Sequence, residues 1–165
     1  MNTRADAVRC RVITVSDRSA AGLRDDLSGP ILADGLRAAG FDASVVVVQD
    51  GEAVVAEALR AGLADGCRLI VTTGGTGVGP RDATPEGTRA VIDRELPGIG
   101  EALRAVGAKH SAHAVLSRGI AGVVDAADGC LIINLPGSPA AVQQGLPVIL
   151  PLISHVLQQL KGADH

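Results

Sequence analysis

Four short apolar stretches constrain the fold of this chain most: RCRVITV at 9–15, ASVVVVQ at 43–49, RLIVTT at 68–73 and CLIINL at 130–135. They run near-continuously instead of alternating apolar with polar residues. Alternation marks a strand packed on one face, and its absence marks a strand covered on both. The runs therefore predict the inner strands of a parallel sheet with helices above and below. A shorter run, GVVDA at 122–126, predicts an edge strand. Helical patterns fill the intervals. Residues 28–39 open on Ser28, carry Pro30 in the first turn and stop at Gly40. Residues 52–64 place Val54, Val55, Leu59 and Leu63 at helical spacing. Residues 85–94 follow Thr84 as an expected N-cap, residues 97–106 form a short helix, and residues 139–161 form a last one, broken or kinked near Pro147 and Pro151. Strand and helix thus alternate through short connections. The expectation is an α/β fold: one domain over 1–165, a three-layer α/β/α sandwich with a mostly parallel sheet.

Composition narrows the function. The 165 residues are 47% hydrophobic, yet hold one Phe (Phe41) and no Trp or Tyr, so the core is aliphatic. Nucleic-acid modules that stack bases on aromatic platforms are thereby disfavoured. A net charge of −3 and a pI near 5.7 also argue against binding a phosphate backbone. The N-terminal MNTRADAVRC has no apolar core of a secretory signal. The stretch GLPVILPLISHVLQQL is interrupted by Pro147, Pro151 and His155 and reads as too short to span a bilayer. A cytoplasmic protein without membrane or nucleic-acid partners is expected. Cys10, Cys67 and Cys130 form no C-x-x-C pair and sit at strand entrances, which predicts buried thiols in a reducing compartment.

In an open parallel sheet, ligands bind at the carboxyl ends of the strands. Those ends deliver Ser16-Asp17-Arg18, Asp50-Gly51, Thr73 followed by Gly74-Gly75-Thr76-Gly77, and Pro136-Gly137-Ser138. The amino ends deliver arginines and cysteines without a comparable pattern. Glycines admit positive φ and close approach, and successive N–H groups in such a turn make a concavity for an anion. The loop lacks the Gly-Lys-[Ser/Thr] of a Walker A motif, and Pro80 stands where a dinucleotide fingerprint needs its third glycine. A tight turn without ligand would also explain Gly-Gly-Thr-Gly taken alone. Asp50 and Asp82 weigh against that reading, because two carboxylates beside a phosphate cradle require a cation. Mg²⁺ is held in this way, by one or two carboxylates and substrate phosphates. Metal-assisted phosphoryl or nucleotidyl transfer follows. His110 and His113 lack a third ligand and read as loop residues, and Arg18, Arg24 and Arg81 are either phosphate contacts or solvated surface.

TTGGTGVGPRDATPE at 72–86 closely resembles the signature of the MogA/MoaB family of molybdenum-cofactor biosynthesis proteins, related to the gephyrin G domain. TVSDR with DLSGP, PGIGEALR at 97–104, LSRGIAG at 116–122 and IINLPGSPAAV at 132–142 resemble the family's remaining blocks in the same order. The resemblance implies a homotrimer that transfers AMP from ATP to the terminal phosphate of molybdopterin with Mg²⁺, releases pyrophosphate and passes the product to a separate molybdenum insertase. It implies that Asp50 and Asp82 are the catalytic, metal-holding carboxylates. Ser16, Asp17, Thr73, Gly74, Gly75, Thr76 and Gly77 would bind the substrates, together with Pro136, Gly137 and Ser138. Ser117 and Arg118 would contact pterin or phosphate. KHSAH at 109–113 replaces a Thr-Pro common before the LSR block, and Ser138 stands where a Lys or Asn is frequent. A non-catalytic molybdopterin carrier and a CinA-like nucleotide pyrophosphatase are the rival readings.

Overall fold

The apolar runs form the strands they predict. In the computed structural model, which describes residues 7–162, the chain runs β1 (Arg9–Val15), α1 (Asp17–Ala20), α2 (Ser28–Ala38), β2 (Asp42–Val48), α3 (Glu52–Ala64), β3 (Leu69–Thr73), α4 (Thr84–Arg89) and β4 (Arg94–Glu95). It continues through α5 (Pro97–Ala108), a 3-10 turn (Ala112–Leu116), β5 (Ala121–Val124), β6 (Cys130–Leu135) and α6 (Pro139–Leu160). Residues 1–6 and 163–165 lie outside the described residues, and with them most of the stretch read for a signal sequence and both ends of the expected 1–165 domain.

The six strands form one sheet in the order β2-β1-β3-β6-β5-β4. β2, β1, β3 and β6 are parallel, and their rungs align like with like: Cys10–Leu69–Leu131 and Val12–Val71–Ile133. These rungs face α2 and α6, where Leu32, Leu36, Ile149 and Ile153 are fully buried. Ile13, Ile70 and Ile132 point the other way, onto Val55 and Leu59 of α3. Each such side chain, fully buried, contributes about 1.5–3 kcal/mol. The link from β1 to β2 crosses one face through α2, and the link from β2 to β3 crosses the other through α3. The chain leaving β1 passes to α2 on one face, and the chain leaving β3 passes to α4, packed beside α3 on the other, so the connections diverge between β1 and β3 and leave a crevice at the carboxyl ends.

Several expectations are corrected. The 122–126 run is not an edge strand: β5 lies inside the sheet, antiparallel to β6, and the two-residue β4 forms the edge. α4 ends at Arg89, because the chain turns to place Arg94 and Glu95 in that edge strand. Thr84 is not the N-cap. Ala83 occupies that position, and the Thr84 hydroxyl donates to Gly74 O at 2.9 Å. α6 is an unbroken helix of 22 residues. Pro147 and Pro151 fall one turn apart on its exposed face, where water can satisfy the carbonyls that lose an N–H partner. By length and composition α6 could cross a membrane, contrary to the sequence reading. Its opposite face buries Val142, Gly145, Ile149, Ile153 and Leu157.

A polar rung holds the far side together. Asn134 Nδ2 donates to the hydroxyls of Thr72 and Thr88 at 3.0 Å each, and Asn134 Oδ1 accepts from Ile120 N at 3.2 Å. α4 and the entry to β5 are thus tied to two central strands. Asn134→Ala orphans buried polar groups and is expected to cost about 2–3 kcal/mol, read by urea unfolding. The cysteines are free and buried as expected, and burial pushes the Cys130 thiol up to about 12. A disulfide reagent such as DTNB is expected to titrate none of them in native protein and all of them in urea.

Candidate functional site

Two chambers meet at the carboxyl edge of the sheet. The first, about 370 Å³, lies between the ends of β1, β2 and β3 and the start of α2. At the end of β1, Ser16 caps α1, its hydroxyl accepting from Ser19 N at 3.2 Å. Asp17 N donates to Asp50 Oδ2 at 2.9 Å, and Asp50 N donates to Asp17 Oδ1 at 3.1 Å. This reciprocal pair ties the exits of β1 and β2. Arg81 reaches across and grips Asp17 with Nε and Nη2, both at 2.9 Å, while Nη2 also donates to Asp50 O.

The glycine loop enters this frame under steric constraint. Gly74 has φ +105°, and a Cβ there would stand 2.3 Å from Val15 O. Gly75 has φ +68°, and a Cβ would stand 2.3 Å from Thr84 Oγ1 and 3.1 Å from Asp50 Oδ1. Gly74 N donates to Leu135 O and Thr84 N to Gly75 O, so the turn is pinned to β6 and α4. Further along, the loop folds round Asp82. Gly79 N donates to Asp82 Oδ2 at 2.9 Å, and a Cβ at Gly77 would stand 2.9 Å from that oxygen.

The electrostatics favour a cation. Partial burial pushes the Asp50 carboxyl up from its ordinary range, and the charges of Asp17 and Asp82 push it further, against the Asp17 N–H and Arg81. The hydrogen bonds from Arg81 hold Asp17 below its ordinary range. Asp50 and Asp82 are hard oxygen donors lining one chamber, and each has a carboxylate oxygen that no protein donor takes among the described residues. That donor set fits Mg²⁺. No group of three His, Cys, Asp or Glu side chains that could hold a metal occurs among the described residues.

The second chamber, about 420 Å³, is more apolar. Leu103, Leu116, Ala114, Ala140 and Ala141 line it, with Arg104, His110, His113, Ser117, Asn134 and Gln144 between them. Thr76, Gly77 and Ser138 line both chambers and so form the wall they share.

The residues singled out from the sequence divide accordingly. Ser16, Asp50, Thr73, Gly74, Gly75, Asp82 and Gly137 line the first chamber, and Ser117 and Pro136 the second. Asp17 and Arg118 line neither; both are engaged by protein groups. Asp25, Asp26 and Arg24 also line the first chamber, and the two aspartates had not been singled out. Asp26 is fixed by the Thr14 hydroxyl at 2.8 Å and by Gly29 N at 2.9 Å. The acidic pair Asp25-Asp26, one residue ahead of the 28–39 helix, is the available signal.

Residues 11–155 match the family model described as "Probable molybdopterin binding domain". The molybdenum cofactor biosynthesis bifunctional protein of Synechococcus elongatus is 44% identical over 93% of this chain, and the chain spans 48% of that protein, about half its length. The molybdopterin adenylyltransferase of Pyrococcus furiosus is 37% identical over 91% of this chain and 89% of its own. The solved molybdopterin biosynthesis Mog protein from Mycobacterium ulcerans superposes with a TM-score of 0.86 at 42% identity, over 93% of this chain and 99% of its own.

The close pass at Gly74 is testable. Gly74→Ala is expected to cost about 3 kcal/mol or more, because positive φ and a backbone collision coincide. Gly40 has φ +95° but open space around it, so Gly40→Ala should cost only about 1–2 kcal/mol. Urea unfolding of the two variants side by side measures the difference.

Proposed function

The chain belongs to the molybdopterin-binding domain family, and on that premise we propose that it is a molybdopterin adenylyltransferase. The observation that carries the reading is the shared wall: an acidic, polar chamber and a more apolar one abut at Thr76, Gly77 and Ser138. The first suits a metal-bound triphosphate and the second a pterin. Their reacting phosphates would then meet at the glycine loop.

In this reaction a phosphate oxygen of molybdopterin attacks the α-phosphorus of ATP. The bond to the β-phosphate oxygen breaks, and pyrophosphate leaves with the electron pair. The nucleophile is already anionic at neutral pH, so no strong general base is required. Catalysis then rests on positioning and charge neutralisation. Asp50 and Asp82 would hold Mg²⁺, which when bound offsets the negative charge of the phosphates. Asp17 and Arg81 keep Asp50 in place by the reciprocal hydrogen bonds and the guanidinium fork. Gly74 to Gly77 would cradle phosphate through the backbone. Ser117 and Pro136 would border the pterin. We place the reaction in the cytoplasm, in a homotrimer that hands adenylylated molybdopterin to a molybdenum insertase.

Anaerobic incubation with molybdopterin, ATP and Mg²⁺, followed by chromatography, is expected to yield adenylylated molybdopterin and pyrophosphate. Asp82→Asn should lose about 10²-fold or more of the rate while keeping the wild-type melting curve. Full activity of that variant would overturn the role given to Asp82. Retention of molybdopterin without product would indicate a carrier, and hydrolysis of a nucleotide pyrophosphate alone would indicate the hydrolase.

A further inference from the structure

We propose that Arg118 is a positioning residue that fixes Asp82 relative to the wall between the two chambers, and is not a substrate contact. The proposal rests on the adenylyl-transfer reading above. Sequence resemblance assigned Arg118 to pterin or phosphate, yet it lines neither chamber. Its guanidinium is spent on the protein. Nε donates to Gly77 O at 2.7 Å, Nη2 donates to Asp82 O at 2.8 Å, and Nη1 pairs with the Glu86 carboxylate. Its own amide donates to Thr76 O at 2.7 Å. One residue more than thirty positions further along the chain thus holds the segment 76–86 at its start, its middle and its end.

The contacts divide the labour around Asp82. Gly79 N orients the carboxylate, and Arg118 fixes the peptide that carries it. Glu86 in turn aims Arg118. The hydrogen bond from Arg118 holds the Glu86 carboxyl below its ordinary range, and Glu86 Oε2 has no hydrogen-bond partner among the described residues, so Arg118 is the side-chain partner that anchors this carboxylate. Ser117, the preceding residue, lines the second chamber, and its hydroxyl lies 3.4 Å from Thr76 Oγ1. A displacement of the wall by a ligand on the pterin side would therefore reach Asp82 through Arg118. A lysine cannot replace this fork, because one ammonium does not present a planar set of donors to three separate acceptors.

The test separates positioning from contact. Mn²⁺ binding in the presence of a non-hydrolysable ATP analogue, read by electron paramagnetic resonance, reports the cation site without turnover. Molybdopterin affinity is measured separately under anaerobic conditions. Arg118→Met and Arg118→Lys are expected to weaken Mn²⁺ binding about tenfold or more while molybdopterin affinity stays within about threefold. Glu86→Gln, which lines neither chamber, should shift Mn²⁺ binding in the same direction by a smaller factor. Melting curves identify any variant that fails to fold, and Glu86→Gln carries the test if both Arg118 variants do. Weakened molybdopterin binding with unchanged Mn²⁺ binding would overturn the proposal in favour of direct contact. Unchanged affinity for both would also overturn it. Absence of nucleotide-dependent Mn²⁺ binding in the wild type would overturn the adenylyl-transfer reading itself, and the proposal with it.

Discussion

The exit from β3 passes so close to β1 that no side chain fits between them. A Cβ on Gly74 would press into Val15 O, and one on Gly137 would lie 3.1 Å from Gly74 Cα. The backbones leaving β1, β3 and β6 therefore converge within van der Waals contact. That convergence sets the rest of the carboxyl edge. It brings the Thr73 hydroxyl onto Pro136 O at 2.8 Å and makes the glycine turn the partition between two spaces of different polarity. A bulkier turn would merge or fill those spaces.

Around this constraint, arginines set the geometry of the acids. Arg81 spans from the glycine loop to the Asp17–Asp50 pair, and Arg118 spans from the start of β5 to the loop that carries Asp82. Both guanidiniums grip backbone carbonyls as well as a carboxylate. A carbonyl grip fixes the chain at Asp50 and Asp82 without an arginine hydrogen bond to either carboxylate. Burial and the neighbouring charges of Asp17 and Asp82 together push the Asp50 carboxyl up. Preorganisation of this sort costs stability in the empty protein and spares reorganisation when a ligand arrives.

Much of this was legible in the sequence because burial on both faces leaves a dense signal. β1, β2, β3 and β6 are continuous apolar runs, and α2, α3 and α5 carry helical spacing or proline starts at the expected places. The two-residue β4 left no period to read, and without it the reversal of β5 and the early end of α4 were hidden. Pro147 and Pro151 suggested a break because their local cost is visible in sequence, whereas the stripe from Val142 to Leu157 that outweighs it is a tertiary fact. At the carboxyl edge, Asp50, Asp82 and the glycines, all singled out from the segments that follow the strands, come to line one chamber. The partners of Asp26 and Arg118 were not legible in the sequence, since Thr14, Gly77 and Asp82 lie 12 to 41 residues away from them in the chain. A side chain's identity advertises its chemistry but not the direction in which it points.

The two margins of the sheet are unequal. On one side β4 is short and carries Arg94 and Glu95, both exposed, which leaves little for another strand to pair with. On the other, β2 is seven residues long. Its peptide groups at Asp42 and Val48 bond towards β1, so those of Ala43, Val45 and Val47 turn outward. Arg37 from α2 reaches over this margin and donates Nε and Nη2 to Ala43 O, at 3.0 and 2.7 Å. The first open carbonyl of a valine-rich border is thereby occupied. An incoming strand would have to displace a guanidinium before it could pair along the whole of β2, so the longer margin of the sheet is guarded at one end by a side chain instead of by a neighbouring strand.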